Sequence, residues 1–130
     1  MQKDTDVALK RSQMDAAAMR TYPNIAKAWG LKERDAARLL GVADSTYRRW
    51  KSNPERASLD ASQRERMSLL LGIYKALHIL LPRPEVADGW LHRTNGNPTF
   101  AGHKPIERLL SGQVSDLFVV RQHLDAARGG

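Results

Sequence analysis

The stretch from Met67 to Leu81 constrains the fold most strongly, because its apolar residues recur at helical spacing on two neighbouring stripes. One stripe comprises Met67, Leu70, Leu71, Tyr74, Leu77, His78 and Leu81, and the other comprises Leu69, Ile73, Ala76 and Leu80. A helix that is apolar over so much of its circumference must be buried widely. We expect it to be the central core helix of the second half of the chain, and a dimer seam is the alternative.

The rest of the chain also has helical periodicity, and no segment alternates apolar and polar residues over the length of a strand. Residues from about Asp6 to Met19 favour a first helix. Pro23 is expected to begin a second helix that stops at Gly30 and has Ile25, Ala28 and Trp29 on its buried face. Further helices are predicted from about Lys32 to Gly41, from a cap at Asp44 or Ser45 to Asn53, over 85–92, from Pro105 to Gly112, and from Val114 onward. The predicted fold class is all-α.

A polar segment, SNPERASLDASQ at Ser52–Gln63, separates two groups of predicted helices. It contains one proline and ends in a helix-start signal. We therefore predict two units, residues 1–58 and 59–130.

The chain has 21 Lys and Arg against 14 Asp and Glu, a net charge of +7 and a pI of about 10.1. Such a charge favours polyanionic partners, although a solvated basic surface explains it equally well. Cysteine is absent, which leaves no disulfides and no thiolate metal ligands. The N-terminus lacks the apolar core of a signal peptide, and no apolar run is long enough to span a bilayer. We expect a cytoplasmic protein without a membrane segment.

The short helix that follows Gly41 has an outward polar face. Tyr47 and Trp50 are its only large apolar residues, and they lie three positions apart, so they define the buried side. At about 100° per residue the outer face carries Ser45, Arg48, Arg49 and Ser52, with Thr46 and Lys51 on the flanks. Arginines on such a face can hydrogen-bond guanine in a major groove, and Lys51 can reach phosphate. The alternative is an ordinary helical hairpin with solvated arginines.

The same segment resembles the helix-turn-helix of Xre-type DNA-binding proteins. Ala37 lies four residues before the turn glycine Gly41, Leu40 and Val42 bracket that glycine, and Tyr47 and Trp50 occupy the inward positions. The resemblance implies that the helix beginning near Lys32 crosses the DNA backbone and that the helix from Ser45 enters the groove. The predicted DNA-binding residues are Lys32, Ser45, Thr46, Arg48, Arg49, Lys51 and Ser52. A homodimer reading two half-sites is the physical expectation.

The segment from Ala87 to Gly130 resembles the C-terminal toxin-binding domain of Xre/MbcA/ParS-like antitoxins. The matching positions are Trp90-Leu91, Asn97-Pro98, Ala101-Gly102, Pro105, Leu109-Leu110, Gly112, Val119-Val120, Leu124 and Gly129. The resemblance implies a type II antitoxin that neutralises its toxin by contact and represses their shared promoter. The usual partner is a RES-domain toxin that consumes NAD, and the antitoxin itself needs no cofactor. Residues 1–58 would bind operator DNA, and residues 59–130 would dimerise and bind the toxin.

Residues that are polar, or that lie in a loop or near the terminus, are the better candidates for contact with a toxin. Trp90, Leu109, Leu110 and Phe118 are expected in the core. The contact candidates are Arg93, His103, Lys104, Arg108 and the terminal segment from Asp125 to Gly130, in which Arg128, Gly129 and Gly130 are the predicted contact residues. The alternatives are a transcriptional regulator whose C-terminal half only dimerises, and a protein-interaction module without DNA binding.

Catalysis is not expected from this sequence. It contains no phosphate-binding glycine loop and no nucleophile elbow, and its four histidines are too scattered for a metal pair. We therefore predict neither a catalytic residue nor a metal site.

Overall fold

The computed structural model describes residues 2–129, and these fold into α-helices and short 3-10 turns with no strand among them. The helices are α1 Gln2–Ala28, α2 Glu33–Leu40, α3 Asp44–Ser52, α4 Ala61–Leu80, α5 Pro84–Gly89, α6 Pro105–Leu109 and α7 Val114–Ala127. The 3-10 turns lie at Pro54–Arg56 and Trp90–His92. The all-α prediction is confirmed. None of the described helices is both long and apolar enough to cross a membrane.

Helix α1 runs without interruption through Pro23, so the prediction that Pro23 begins a second helix was wrong. Proline removes one intrahelical hydrogen bond at a cost of about 3 kcal/mol. The continuous helix buries Met19 and Tyr22 before the proline and Ile25 and Ala26 after it on one face. Each large apolar side chain contributes roughly 1.5–3 kcal/mol on burial, so together they outweigh the proline.

The end of α1 matches the predicted stop before Gly30, but its buried face differs by one residue from the prediction. Trp29 is 1% exposed, as expected, whereas Ala28 is exposed rather than buried. The buried positions 22, 25, 26 and 29 define a stripe that leaves position 28 on its solvent side.

A glycine in the left-handed region joins α2 to α3. Gly41 has φ 78° and ψ 34°, and Val42 N–H donates to the Ala37 carbonyl at 3.0 Å, which closes the end of α2. The N-cap of α3 is Ala43, with no side-chain capping bond, so the predicted cap at Asp44 or Ser45 was wrong. Asp44 lies in the first turn instead, where its charge complements the helix dipole.

Helix α4 is the central core helix, as predicted. It packs most extensively against α7 and also contacts α1, α2 and α5. The Asp60 carboxylate accepts from Gln63 N–H at 2.7 Å, and the Gln63 side chain accepts from Asp60 N–H at 2.9 Å, which fixes the start of the helix. Its buried residues are Met67, Leu70, Ile73, Ala76 and Leu77.

The predicted helix over 85–92 is divided into α5 and the tighter 3-10 turn at Trp90–His92, which places Leu91 in the core with no exposure. The loop over 93–104 then leads to α6. Leu109 is fully buried, whereas Trp90 and Leu110 are half-buried. Phe118 is 53% exposed, so its expected core position was wrong. Helix α7 buries Leu117 and the positions three and seven residues later, and Phe118 lies about 100° away from Leu117.

The buried side chains from α1 to α7 form one hydrophobic cluster that includes residues on both sides of the predicted boundary at 58/59. Polar contacts also cross that boundary. The Asp15 carboxylate, 4% exposed, accepts from Arg64 Nε and Nη2 and from Leu59 N–H, each at 3.1 Å. The Arg66 guanidinium donates to the Leu39 carbonyl at 3.3 Å and to the Gly112 carbonyl at 2.9 Å. The division into residues 1–58 and 59–130 stays a prediction.

Candidate nucleic-acid and protein interfaces

Helix α3 is held by two buried rings. Tyr47 is 2% exposed and Trp50 is 7% exposed, which confirms the inward positions predicted for them. The Tyr47 ring meets the Tyr22 ring edge-on with centroids 6.1 Å apart, and the Tyr22 hydroxyl donates to the Ala36 carbonyl at 2.8 Å. These contacts connect α3 to α1 and α2, and they fix the rotation of α3 about its own axis.

Burial also changes the acidity of both phenols. Burial raises the pKa of Tyr22 well above its usual value, and the neighbouring Tyr47 adds to that shift. Burial likewise raises the pKa of Tyr47 to about 12, with a further contribution from the charge of Glu33. Both rings are therefore neutral supports for α3 at physiological pH.

The outward face of α3 is polar and basic. Ser45, Arg48, Arg49 and Ser52 are exposed and Thr46 is half-buried, as the helical periodicity predicts. Lys32 is exposed at the residue that immediately precedes α2. The predicted residues thus lie together on one helix-turn-helix, and their contact with DNA stays a prediction.

Lys51 has a partner that sequence reasoning missed. Its ammonium group donates to the Glu33 carboxylate at 2.9 Å, and both side chains are about half exposed. The hydrogen bond and charge of Lys51, with a smaller contribution from Arg48, lower the pKa of the Glu33 carboxyl. Lys51 must therefore exchange this carboxylate for a phosphate if it is to bind DNA. Glu33 lies in the first turn of α2, which makes it a visible candidate for an ion pair. It is 18 positions away from Lys51 in a different helix, so helical periodicity does not predict that they meet.

The predicted contact residues of the 93–104 loop are exposed. The Arg93 guanidinium donates to the Val86 carbonyl at 2.8 Å. The His103 imidazole lies 3.9 Å from the Glu107 carboxylate and is 73% exposed. Lys104 N–H donates to that same carboxylate at 2.8 Å, which leaves the Lys104 side chain exposed. Arg93 thus contacts α5, whereas His103 and Lys104 lie at the start of α6.

Arg108 is more enclosed than its prediction as a contact residue requires. Its side chain is 35% exposed, and it donates to the Asp116 carboxylate at 2.8 Å and to the Thr99 carbonyl at 2.6 Å. Asp116 also accepts a short hydrogen bond from the Ser111 hydroxyl. Arg108, which lies in α6, therefore holds the 93–104 loop and α7 together through these hydrogen bonds.

The end of α7 carries a small polar cleft of about 310 Å³ lined by Arg121, Asp125, Arg128 and Gly129. The Arg121 guanidinium donates to the Asp125 carboxylate at 3.0 Å, and Arg128 lies 3.9 Å from it. Arg121 also lies over Gly72 of α4, where a Cβ would approach its Nη1 to 1.5 Å. Sequence reasoning named Asp125 among the terminal contact candidates but missed Arg121, although its i,i+4 spacing to Asp125 was a signal. Gly130, also predicted as a contact, lies outside the described residues.

The histidines take part in separate contacts. His78 Nε2 lies 2.8 Å from the Asp88 carboxylate, and His92 Nε2 lies 2.6 Å from the Trp29 carbonyl. His123 stacks on Trp90 with ring centroids 6.1 Å apart. Within residues 2–129 no group of three or more His, Asp or Glu residues could hold a metal ion.

Comparison with known proteins identifies both halves of the chain. Residues 8–72 match the family described as the antitoxin Xre-like helix-turn-helix domain, and residues 76–130 match the antitoxin Xre/MbcA/ParS C-terminal toxin-binding domain. The chain is also 40% identical over 115 residues to "Uncharacterized protein y4oB" of Sinorhizobium fredii (strain NBRC 101917 / NGR234), covering 88% of this chain and 86% of that protein. Both resemblances drawn from the sequence are confirmed, and the chain belongs to the Xre/MbcA/ParS-like family of antitoxins.

Proposed function

We propose that this antitoxin has two binding activities. Helix α3 binds operator DNA as part of a homodimer and represses the promoter that the antitoxin shares with its toxin. The C-terminal helices neutralise the toxin by direct contact. The proposed toxin is a RES-domain protein that consumes NAD, by the resemblance of the segment from Ala87 to Gly130, and the antitoxin itself performs no reaction in the cytoplasm.

The observation that carries the DNA-binding proposal is the arrangement of α3. Arg48 and Arg49 are exposed on a helix whose opposite side is fixed by Tyr47 and Trp50. Guanidinium groups bind guanine bidentately in the major groove, and a helix whose orientation is already fixed loses little freedom on binding. An α-helix, about 10–12 Å in diameter with its side chains, fits a major groove about 12 Å wide.

The toxin-binding proposal is supported by the C-terminal family match and by surface chemistry. Phe118 exposes a large apolar ring on α7, and the 93–104 loop supplies exposed cations at Arg93 and Lys104. An apolar anchor with polar groups around it is the usual composition of a protein interface.

The DNA-binding activity is tested with Arg48→Ala and Arg49→Ala. Each substitution is expected to weaken operator binding by about 1–3 kcal/mol if it removes a base contact. Lys75→Ala and Arg83→Ala, each made alone at an exposed residue outside the helix-turn-helix, remove the same single charge and are the matched controls. Operator affinity that falls equally in the controls, or not at all, at fixed salt would contradict the assignment to α3.

The toxin-binding activity is tested by co-expression with the product of the adjacent gene. Rescue of growth and stable co-purification are expected for the wild-type chain and for the variant with Ala at positions 48 and 49. If neither the wild-type nor the variant chain rescues growth, the chain is a regulator without a toxin partner.

A further inference from the structure

Lys51 differs from the two arginines of α3 in having a carboxylate partner. Its ammonium group donates to the Glu33 carboxylate at 2.9 Å, and both side chains are about half exposed. Within the described part of the chain, Arg48 and Arg49 form no salt bridge. Of the three cations of α3, Lys51 is thus the one whose charge is already balanced by a described residue.

The Glu33 carboxylate is charged and lies against α3. The hydrogen bond and charge of Lys51, with a smaller contribution from Arg48, lower the pKa of the Glu33 carboxyl. Burial raises the pKa of Tyr47, and the charge of Glu33 adds to that shift. Glu33 itself lies in the first turn of α2, directly after Lys32. One anion therefore stands among the cations that are proposed to bind DNA.

A phosphate that reaches Lys51 also approaches Glu33. A hydrogen bond from an ammonium group to an anionic oxygen spans about 2.7–2.9 Å, so two oxygens that share the Lys51 ammonium lie within about 6 Å of each other. This separation is shorter than the Debye length of about 8 Å at physiological salt, so the two negative charges repel. If the carboxylate stays beside Lys51 it repels the phosphate, and if it moves away its ion pair is lost.

We propose that Glu33 limits the strength of DNA binding by competing with a DNA phosphate for Lys51. The inference rests on the DNA binding of the proposed function and adds a residue that regulates it. Phosphate contacts supply the affinity that all DNA sequences share, whereas base contacts supply discrimination between sequences. Glu33 thus weakens the shared part of the affinity and leaves the base contacts of Arg48 and Arg49 in place.

Glu33→Gln tests this role, because it removes the charge and keeps the size of the side chain. Affinity for operator DNA and for an unrelated duplex should both rise by about twofold to fivefold, the range expected for losing an exposed ion-pair competitor. The plot of log affinity against log salt concentration should also become steeper by about 0.9, since Lys51 then gains a phosphate without leaving a bare carboxylate. Fluorescence anisotropy with labelled duplexes at several salt concentrations measures both quantities.

Glu85→Gln is the matched control. Glu85 forms an exposed ion pair with Arg83 at the same distance of 2.9 Å, but it lies in α5. The control removes one negative charge from the chain and should leave affinity and salt dependence near their wild-type values. A second test repeats Glu33→Gln in a Lys51→Ala background, where its gain should fall to that of the control. Both glutamates are exposed, so circular dichroism should show wild-type helix content in each single variant.

Three results would overturn the inference. Weaker binding of Glu33→Gln to every duplex would mean that the carboxylate orients Lys51 toward phosphate. A loss confined to the operator would mean that Glu33 contacts a base, since glutamate accepts from cytosine N4. An unchanged affinity, or a gain that persists in full without Lys51, would mean that the two residues do not act together on DNA. In each case the wild-type chain still binds the operator, whereas a wild-type chain that does not bind it overturns the proposed DNA binding as well.

Discussion

The Asp15 carboxylate links α1 to the central helix α4, and its removal should lower the free energy of unfolding by an amount that follows from its contacts. In Asp15→Ala the buried Leu59 N–H loses its acceptor, which costs about 1–3 kcal/mol. The Arg64 side chain is 35% exposed, so water partly replaces the lost carboxylate. The cost of losing that pair therefore falls between the surface value of 0–1 kcal/mol and the buried value of 3–5 kcal/mol, at about 1–2 kcal/mol. The free energy of unfolding should fall by about 3 kcal/mol in total.

Urea denaturation followed by helical circular dichroism measures this change. With a urea dependence of about 1–3 kcal/mol/M, the midpoint should fall by about 1–3 M. Asp15→Asn keeps an acceptor for Leu59 N–H, so it should cost less than Asp15→Ala. Glu55→Ala is the control, because Glu55 forms an exposed pair with Arg20 and should change stability by less than about 0.5 kcal/mol. A loss below about 1 kcal/mol in Asp15→Ala, or an equal loss in Asp15→Asn, would refute the reasoning.

Two further predictions concern the helix-turn-helix. Gly41→Ala should lower stability by about 1–2 kcal/mol, because φ is +78° and the new Cβ would lie 3.2 Å from Arg66 Cδ. Gly96→Ala, where a Cβ meets open space, should change stability by less than about 0.5 kcal/mol, and equal urea midpoints for the two variants would contradict the turn argument. Burial raises the pKa of Tyr47 from about 10 in the unfolded chain to about 12 in the folded chain. The unfolded chain therefore releases the phenol proton at lower pH, and the free energy of unfolding should fall as pH rises from about 10 to 12. Tyr47→Phe should flatten this fall in pH-dependent urea titrations, and an unchanged slope would show that Tyr47 is not its source.

Helical periodicity predicted the orientation of α3 correctly because the short helix has only two large apolar residues. Tyr47 and Trp50 leave one choice of buried side, and the structure adopts it. The same reasoning failed at Phe118, since α7 offers more apolar residues than its contact with the core can cover. Periodicity places residues around a helix, but the neighbouring helices decide how wide the buried stripe is.

Local signals failed where distant residues decide the outcome. Pro23 has the local signature of a helix start, yet burial on both sides of it keeps α1 continuous. The pairs Asp15–Arg64 and Glu33–Lys51 join residues far apart in the sequence. Helical periodicity relates only residues a few positions apart, so the sequence contains no signal for either pair.

Arg66 connects the two ends of the molecule that the proposed partners approach. One side of its guanidinium holds the last turn of α2, and the other side holds the turn before α7. A single side chain thus links the helix-turn-helix to the C-terminal helices. Because Arg66 holds both turns, we expect the two proposed binding surfaces to keep their relative orientation when either partner binds, so that little freedom is lost on binding.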